Sequence, residues 1–304
     1  MLSRRSLIEA SLGSAMLLAA SRSSLLMATG EQMLVRSIPA SGEPLPVIGM
    51  GTSGSFDVPA SEEALSPLRE VLRLLLDKGG RVLDTAPSYG RAQMVCGLLL
   101  EQGGWRENVF LASKLGVRGR ERGLAQFEES LRALRSKRLD LLQVHNLIDY
   151  RTLLGLLRDL KAQGCIRYLG VTHYLEAAHD ELVGIVEREP LDFLQINLSV
   201  VSRNAERRLL PLCREKGVAV LINRAFEGGQ LFARVNGREL PRWAADIDCS
   251  SWAQVFLKYV ISHPAVTCVI PASSDPRHMA DNLLAGFGRM PDTAQRARIA
   301  AYFA

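Results

Sequence analysis

The sequence predicts an α/β chain folded as a single-domain (β/α)8 TIM barrel, residues 31–304, behind a short N-terminal extension, residues 1–30. Three observations carry this. From about residue 45 one unit repeats: a short β-branched or apolar run, a loop, then an amphipathic stretch of helical period. No linker or shift in composition separates the repeats, which favours one closed parallel sheet over two packed domains. The 304 residues also suffice for a fold that commonly takes about 250.

In chain order the strand candidates are Leu45–Met50, Arg81–Ala86, Val109–Lys114, Leu139–His145, Ile166–Val171, Phe193–Leu198, Val218–Asn223 and Thr267–Pro271. Helix candidates follow at Pro67–Leu76, Ala92–Glu101, Leu124–Arg135, Leu153–Gln163, Ala177–Arg188, Ala205–Glu215, Trp252–Ser262 and Arg277–Ala285, with one more at Asp292–Phe303. Ser66 before Pro67 reads as a helix opening, since the hydroxyl can cap a free N–H and proline's missing donor costs nothing in a first turn. The stretch Glu227–Cys249 has no clear period and is expected to be a lid over the mouth.

With 47% hydrophobic and 23% charged residues the composition is that of an ordinary globular protein. The net charge of +5 is small, and residues 1–30 hold Arg4, Arg5 and Arg22 against Glu9. The basic residues are scattered rather than blocked, which excludes nucleic acid as an expected partner. The five cysteines show no C-x-x-C spacing. They read as buried small hydrophobes rather than metal ligands, although one pair could close a disulfide in an oxidising compartment.

Ser3-Arg4-Arg5-Ser6-Leu7-Ile8 puts a twin arginine ahead of a modestly apolar stretch. It resembles the address read by the twin-arginine (Tat) translocase, which implies an exported, periplasmic protein with that translocase as a partner during export. The uncharged run Ala10–Ser21 is too short to span a bilayer, so no stable membrane anchor is expected. Small residues suggest a cut after Ser21 or after Gly30. The plainer reading is a cytoplasmic enzyme with an N-terminal extension.

Gly49, Gly51 and Gly54 spell G-x-G-x-x-G after the first strand, but no helix opens at Gly54 and no acidic residue ends a following strand about 20 residues on. The glycines read instead as room for backbone, with Gly51 and Thr52, to approach a ligand at the barrel mouth.

Active sites of such barrels lie where the strands end at the C-terminal face. Polar residues fall there on three successive strands: Asp84 in Asp84-Thr85-Ala86-Pro87-Ser88-Tyr89-Gly90, Lys114 after Ser113, and His145 in Leu142-Gln143-Val144-His145-Asn146. Singly, each has a structural explanation: a loop cap, a packed tyrosine, a solvated lysine, a satisfied core histidine. Together they fit carbonyl reduction, which needs a hydride at carbon and a proton at oxygen. Free tyrosine titrates near about 10, so a poised Tyr89 needs its anion favoured by a cation. Lys114 is expected to supply that charge, Asp84 to hold the ammonium, and His145 to bond the substrate oxygen.

The set Asp84, Tyr89, Lys114 and His145 resembles the catalytic tetrad of the aldo/keto reductases, in the same order, and the likeness runs from about Met50 to Asn282. It implies an NAD(P)H-dependent oxidoreductase reducing an aldehyde, ketone or sugar carbonyl, or the reverse oxidation. It also implies where the cofactor lies. Thr172 and His173 stand where the family usually has serine and asparagine on the nicotinamide carboxamide, Gln195 matches the glutamine reaching the same amide, and Asn223 replaces the aromatic residue that stacks on the ring. That stacking would have to come from elsewhere, with Phe226 as a candidate. Ser273 with Arg277 or His278 falls near a 2′-phosphate, and Asp281 and Asn282 near adenine. Ala272 replaces a frequent lysine, so NADP(H) is the expected cofactor with NAD(H) as the alternative.

A rival reading keeps the fold without turnover: a nucleotide-binding or redox-sensing barrel acting through a partner. A metal-dependent hydrolase fares poorly, because His145, His173, His179, His263 and His278 show no ligand spacing. For an exported enzyme the cofactor would have to be tightly held and enter with the folded protein. Substrate choice would lie in the long loops, with Phe56, Tyr150, Tyr174 and Trp243 as aromatic candidates.

Overall fold

The computed structural model describes residues 32–304, so the twin-arginine segment lies outside the described residues. Strands β1 (Val35–Ser37) and β2 (Pro44–Pro46) form an antiparallel hairpin. Eight parallel strands follow: β3 (Met50–Gly51), β4 (Val82–Asp84), β5 (Phe110–Leu115), β6 (Leu139–His145), β7 (Ile166–Thr172), β8 (Phe193–Asn197), β9 (Ala219–Asn223) and β10 (Cys268–Val269). They neighbour one another in chain order. The first and last are joined as well: Gly49 N–H donates to the Val269 carbonyl at 2.8 Å and Val269 N–H to that of Val47 at 2.9 Å. The sheet is therefore closed, as the eightfold repeat predicts.

The strands read as continuous apolar runs because both faces are covered, inside by opposing strands and outside by helices. In β5 every residue is buried, and in β6 only His145 at the open end is not. The outer ring comprises α1 (Glu62–Asp77), α2 (Ala92–Gly103), α3 (Arg120–Ala133), α4 (Tyr150–Ala162), α5 (His179–Arg188), α6 (Leu209–Lys216), α8 (Trp252–Ile261) and α9 (Pro276–Leu284); a short α7 (Gln230–Arg234) sits in a loop and α10 (Thr293–Tyr302) ends the fold. No helix among the described residues is long and apolar enough to cross a membrane.

Inside the N-terminal end of the barrel Phe110, Tyr168 and Phe193 pack with centroids 5.4 to 5.8 Å apart. The hairpin closes over them: Ile38 and Leu45 join their cluster, and the Tyr168 hydroxyl reaches Ser41 and Glu43, each at 2.7 Å. This end of the barrel is a packed core.

Three expectations need correction. The run Leu45–Met50 is not one strand; its start belongs to the hairpin and the barrel strand keeps only Met50 and Gly51. Pro46 has no N–H for a ladder, and Gly49 lies so close to Val82 that a Cβ would stand 2.6 Å from the valine Cβ. Helix α1 opens at Ser61, whose hydroxyl accepts from Ala64 N–H, with Glu62 and Glu63 favourably placed in the first turn. Pro67 therefore sits inside the helix, tolerated because Pro67 and Glu63, whose carbonyl it leaves free, both face solvent. The stretch Glu227–Cys249 is not irregular throughout: it contains α7 and short 3-10 turns, pinned by Phe226, Phe232 and Phe256 packing together and by Trp252 Nε1 donating to the Arg238 carbonyl. All five cysteines are free thiols.

Phe193 is completely buried in the basal aromatic cluster. Phe193→Ala is expected to lower the unfolding free energy by about 3–5 kcal/mol, read from urea midpoints at constant m-value; a change below about 1 kcal/mol would show that this end is loosely packed.

Candidate active site

Parallel register brings the ends of β4, β5 and β6 side by side, with Asp84 level with Ala112 and Lys114 level with Gln143. Lys114 and Asp84 are both buried, and Lys114 Nζ donates to Asp84 Oδ2 at 2.5 Å and to the Thr85 carbonyl at 3.0 Å. The other carboxylate oxygen accepts from Gln195 Nε2 at 2.9 Å and from Gln143 Nε2 at 3.5 Å. Burial alone would lower the lysine pKa, but Asp84 and Tyr89 outweigh it and the net shift is upward, so the ammonium stays charged.

Tyr89 comes from the loop after β4. Gly90 adopts a left-handed backbone (φ 59°) and a Cβ there would meet the Asp57 carboxylate at 2.4 Å. That carboxylate holds the loop from the far side, accepting from the backbone N–H of Arg91 at 3.1 Å and from its Nε at 3.0 Å. The Tyr89 ring lies 5.2 Å from Lys114 Nζ and meets the His145 ring edge-on, centroids 5.9 Å apart at 82°. A phenol, an ammonium, a carboxylate and an imidazole thus converge on one mouth.

Their electrostatics differ from the expectation in one respect. Burial raises the Tyr89 pKa, the nearby Lys114 charge lowers it, and Asp84 raises it again; the net direction is upward. The lysine does not leave an acidified phenol, because burial of the phenolate outweighs its pull and its counter-ion Asp84 offsets part of its field as well. The phenol is protonated at neutral pH, the state a proton donor requires. Burial, then Lys114 and His173, push His145 down to about 4, so the imidazole is neutral over the physiological range.

Asp84, Tyr89 and His145 open onto a cavity of about 850 Å³, with Lys114 buried behind them, and its wall also includes Gly51, Thr52, Thr172, Gln195 and Asn223. Thr52 Oγ1 donates to the Asp84 carbonyl at 3.1 Å. Gln195 Oε1 accepts from Thr172 Oγ1 at 3.1 Å and Asn223 Nδ2 at 3.4 Å. Across the mouth, Ser273 and His278 also line the cavity.

The chain between residues 47 and 299 matches the model of the aldo/keto reductase family. This protein belongs to that family. Among curated relatives, methylglyoxal reductase YeaE of Escherichia coli (strain K12) is 31% identical over 247 residues, covering 78% of this chain and 84% of that protein. Glyoxal reductase of Bacillus subtilis (strain 168) is 28% identical over 246 residues, 79% of this chain and 83% of that one. Among solved structures, an aldo-keto reductase from Klebsiella pneumoniae in complex with NADPH superposes with a TM-score of 0.76 at 24% identity, covering 89% and 96% of the two chains. One from Bacillus halodurans in its holo form gives 0.73 at 21%, covering 90% and 97%.

Four of the cofactor candidates in this aldo/keto reductase do not line the cavity. His173 turns its ring to its own loop, where Nδ1 accepts from Leu175 N–H at 3.1 Å and the ring stacks on Tyr174 at 5.6 Å. The Arg277 side chain is 88% exposed and pairs with Asp275 at 2.7 Å. Asp281 ties α9 to the start of α8, accepting from Ser251 Oγ and Gln254 Nε2, each at 2.6 Å. Asn282 is buried in α9. Of the four aromatic candidates for substrate choice only Tyr174 reaches the cavity, since Phe56 and Tyr150 are buried and Trp243 packs on Tyr302; Phe226, the stacking candidate, lines it too.

Sequence reading missed Gln143 and Arg224. Gln143 lies two residues before His145 in β6, hence on the same face, so strand alternation alone carries its signal. Arg224 is the first residue beyond β9 and lines the cavity.

The depressed His145 pKa fixes a pH dependence. Neutral His145 in the fold and a protonatable one in the unfolded chain mean that stability contributed by this residue is present above about 6.5 and falls as pH drops toward 4. NMR titration of the imidazole should therefore give a midpoint well below pH 6; a midpoint near 6.5 would refute the burial account.

Proposed function

We propose that this aldo/keto reductase reduces a small aldehyde, ketone or sugar carbonyl with NADPH, with Tyr89 as proton donor. The observation that carries the reading is a phenol at the cavity wall with its ring 5.2 Å from a buried lysine Nζ and edge-on to an imidazole at 5.9 Å. The two curated relatives described above are named for methylglyoxal and glyoxal, small dicarbonyls, which supports a compact substrate.

The residues fit a nicotinamide nucleotide. Asn223 Oδ1 is buried without a hydrogen-bond partner among the described residues, and an orphaned acceptor beside Thr172 and Gln195 suits the N–H of a carboxamide. At Gly51 a Cβ would stand 3.0 Å from the Ile270 carbonyl, so backbone alone fits at that wall. When bound, the nicotinamide supplies the hydride. Tyr89 donates its proton to the carbonyl oxygen as charge develops there, and His145 orients that oxygen with a neutral N–H. Lys114 stabilises the phenolate left behind, and Asp84 keeps the ammonium charged and in place. Ser273 and His278 would face the phosphate of the adenosine end. Solved relatives bound to NADPH or NADP support NADPH over NADH.

The intact tetrad favours turnover over a nucleotide-binding barrel that acts only through a partner. Tyr89→Phe keeps the ring and removes the proton, so kcat for aldehyde reduction is expected to fall by about 10²- to 10⁴-fold while NADPH still binds by fluorescence titration. Retention of full kcat would remove Tyr89 from the mechanism.

We also propose that residues 1–30 direct export through the Tat translocase, with the nucleotide bound before transport. The support is the Arg4-Arg5 pair and the short uncharged run behind it. Cell fractionation tests it: replacing both arginines by lysine should move the protein from periplasm to cytoplasm; a wild type already in the cytoplasm would support the cytoplasmic alternative, and a periplasmic distribution left unchanged would rule out the arginine pair as the signal.

A further inference from the structure

The main chain around Tyr89 has few ties to the rest of the protein. Tyr89 N–H donates to the Ala86 carbonyl and Ala92 N–H to the Tyr89 carbonyl, each at 3.1 Å, which shapes a tight turn without anchoring it. Helix α2 opens directly after this turn, and Arg91 at its N-cap makes no side-chain bond to the first-turn N–H groups. Among the described residues the main chain of 86–91 makes one hydrogen bond beyond itself and α2. It runs from Arg91 N–H to Asp57 Oδ1 at 3.1 Å, and Arg91 Nε reaches the same oxygen at 3.0 Å.

Asp57 is itself fixed. Its neighbour Phe56 is fully buried in the core, and its loop springs from Thr52, whose N–H and hydroxyl both donate to the Asp84 main-chain carbonyl, at 3.0 and 3.1 Å. Because Gly90 has no Cβ, the Asp57 carboxylate packs against the turn where a Cβ would stand 2.4 Å away. A circuit thus closes from Asp84 through Thr52 and Asp57 to Arg91, two residues beyond Tyr89. Residues 51–55 of this bracket line the cavity, whereas Asp57 and Arg91 stand outside its wall.

We propose that Asp57 is a positioning residue, clasping the Tyr89 turn through Arg91 so that the phenol stays in place beside Lys114 and a bound carbonyl. This rests on the reductase reading above and adds a residue to its machinery. The Asp57 and Arg91 side chains are both about half exposed, so their ion pair adds little to global stability. What it fixes is geometry, and a misplacement of about 1 Å caused from outside the chemistry can cost about 10²-fold in rate. Loss of the clasp therefore shows in the rate of the chemical step and not in the melting temperature.

The test measures single-turnover oxidation of bound NADPH by methylglyoxal and by 4-nitrobenzaldehyde in wild type, Asp57→Ala and Asp57→Asn, with Tm and NADPH affinity alongside. Asp57→Ala should slow hydride transfer by about 10- to 100-fold while Tm and affinity hold. Asp57→Asn, which keeps an acceptor for the Arg91 N–H, should recover most of the rate. In a Tyr89→Phe background Asp57→Ala should slow nothing further, because a residue acting through the phenol has nothing left to position. A rate unmoved by Asp57→Ala overturns the proposal, as does an equal slowing in the Tyr89→Phe background or no recovery in Asp57→Asn. So does a slowing that comes with lower Tm or weaker NADPH binding, which would mark a merely structural loop. If wild type reduces neither aldehyde, the reductase reading fails on its own, and amide hydrogen exchange of the peptide spanning 86–91 decides the clasp. Faster exchange in Asp57→Ala that Asp57→Asn reverses supports it, and exchange that is unchanged or not reversed overturns it.

Discussion

The ion pair between Lys114 and Asp84 is the constraint around which the open end of the barrel is organised. Both groups are removed from water, and a buried ion loses several kcal/mol of hydration that only close contact and further hydrogen bonds recover. Here the ammonium bonds the carboxylate and the Thr85 carbonyl, while the carboxylate also accepts from two carboxamides, Gln195 and Gln143. Losing either ion would strand the other, at a cost of about 3–5 kcal/mol. The pair earns its place by function rather than by stability. It keeps one fixed positive charge beside the Tyr89 phenol, whose proton is retained chiefly because burial disfavours the phenolate.

A precise mouth needs a stiff support, and the two ends of the barrel divide this labour. The N-terminal end is filled by Phe110, Tyr168 and Phe193 and sealed by the hairpin. The C-terminal end carries the unusual backbone. Asn146, Leu147 and Asp149 after β6, and Arg224 and Glu227 after β9, all adopt left-handed φ values without being glycine. Such residues cost of order 1–3 kcal/mol each and persist only where the surroundings over-determine them. The parallel ladders from β5 to β9 supply that rigidity, and the strained turns aim His145 and Arg224 at the cavity.

Hydrogen bonding also couples the cavity wall to the buried ion pair. Gln195 accepts from Thr172 and Asn223 on one side and donates to Asp84 on the other, so a residue expected only to touch a carboxamide also orients the carboxylate of the buried ion pair. The ion pair and this part of the cavity wall are one buried polar network, with Asn223 Oδ1 as an unpartnered acceptor at its edge among the described residues.

Much of this was legible in the residues alone. Eight apolar runs alternating with amphipathic stretches specify the closed barrel, because a strand buried on both faces and a helix buried on one leave distinct periods in the chain. Strand ends then name Asp84, Lys114 and His145, since barrel chemistry collects where strands stop. Tertiary structure alone decided the rest. Whether Tyr89 is acidified depends on how deeply its ring is buried beside an ion pair, and whether His173 or Arg277 reaches the cavity depends on the turn of its own loop. Periodicity is a property of neighbours along the chain, whereas charge balance is a property of neighbours in space, and only folding makes the second kind.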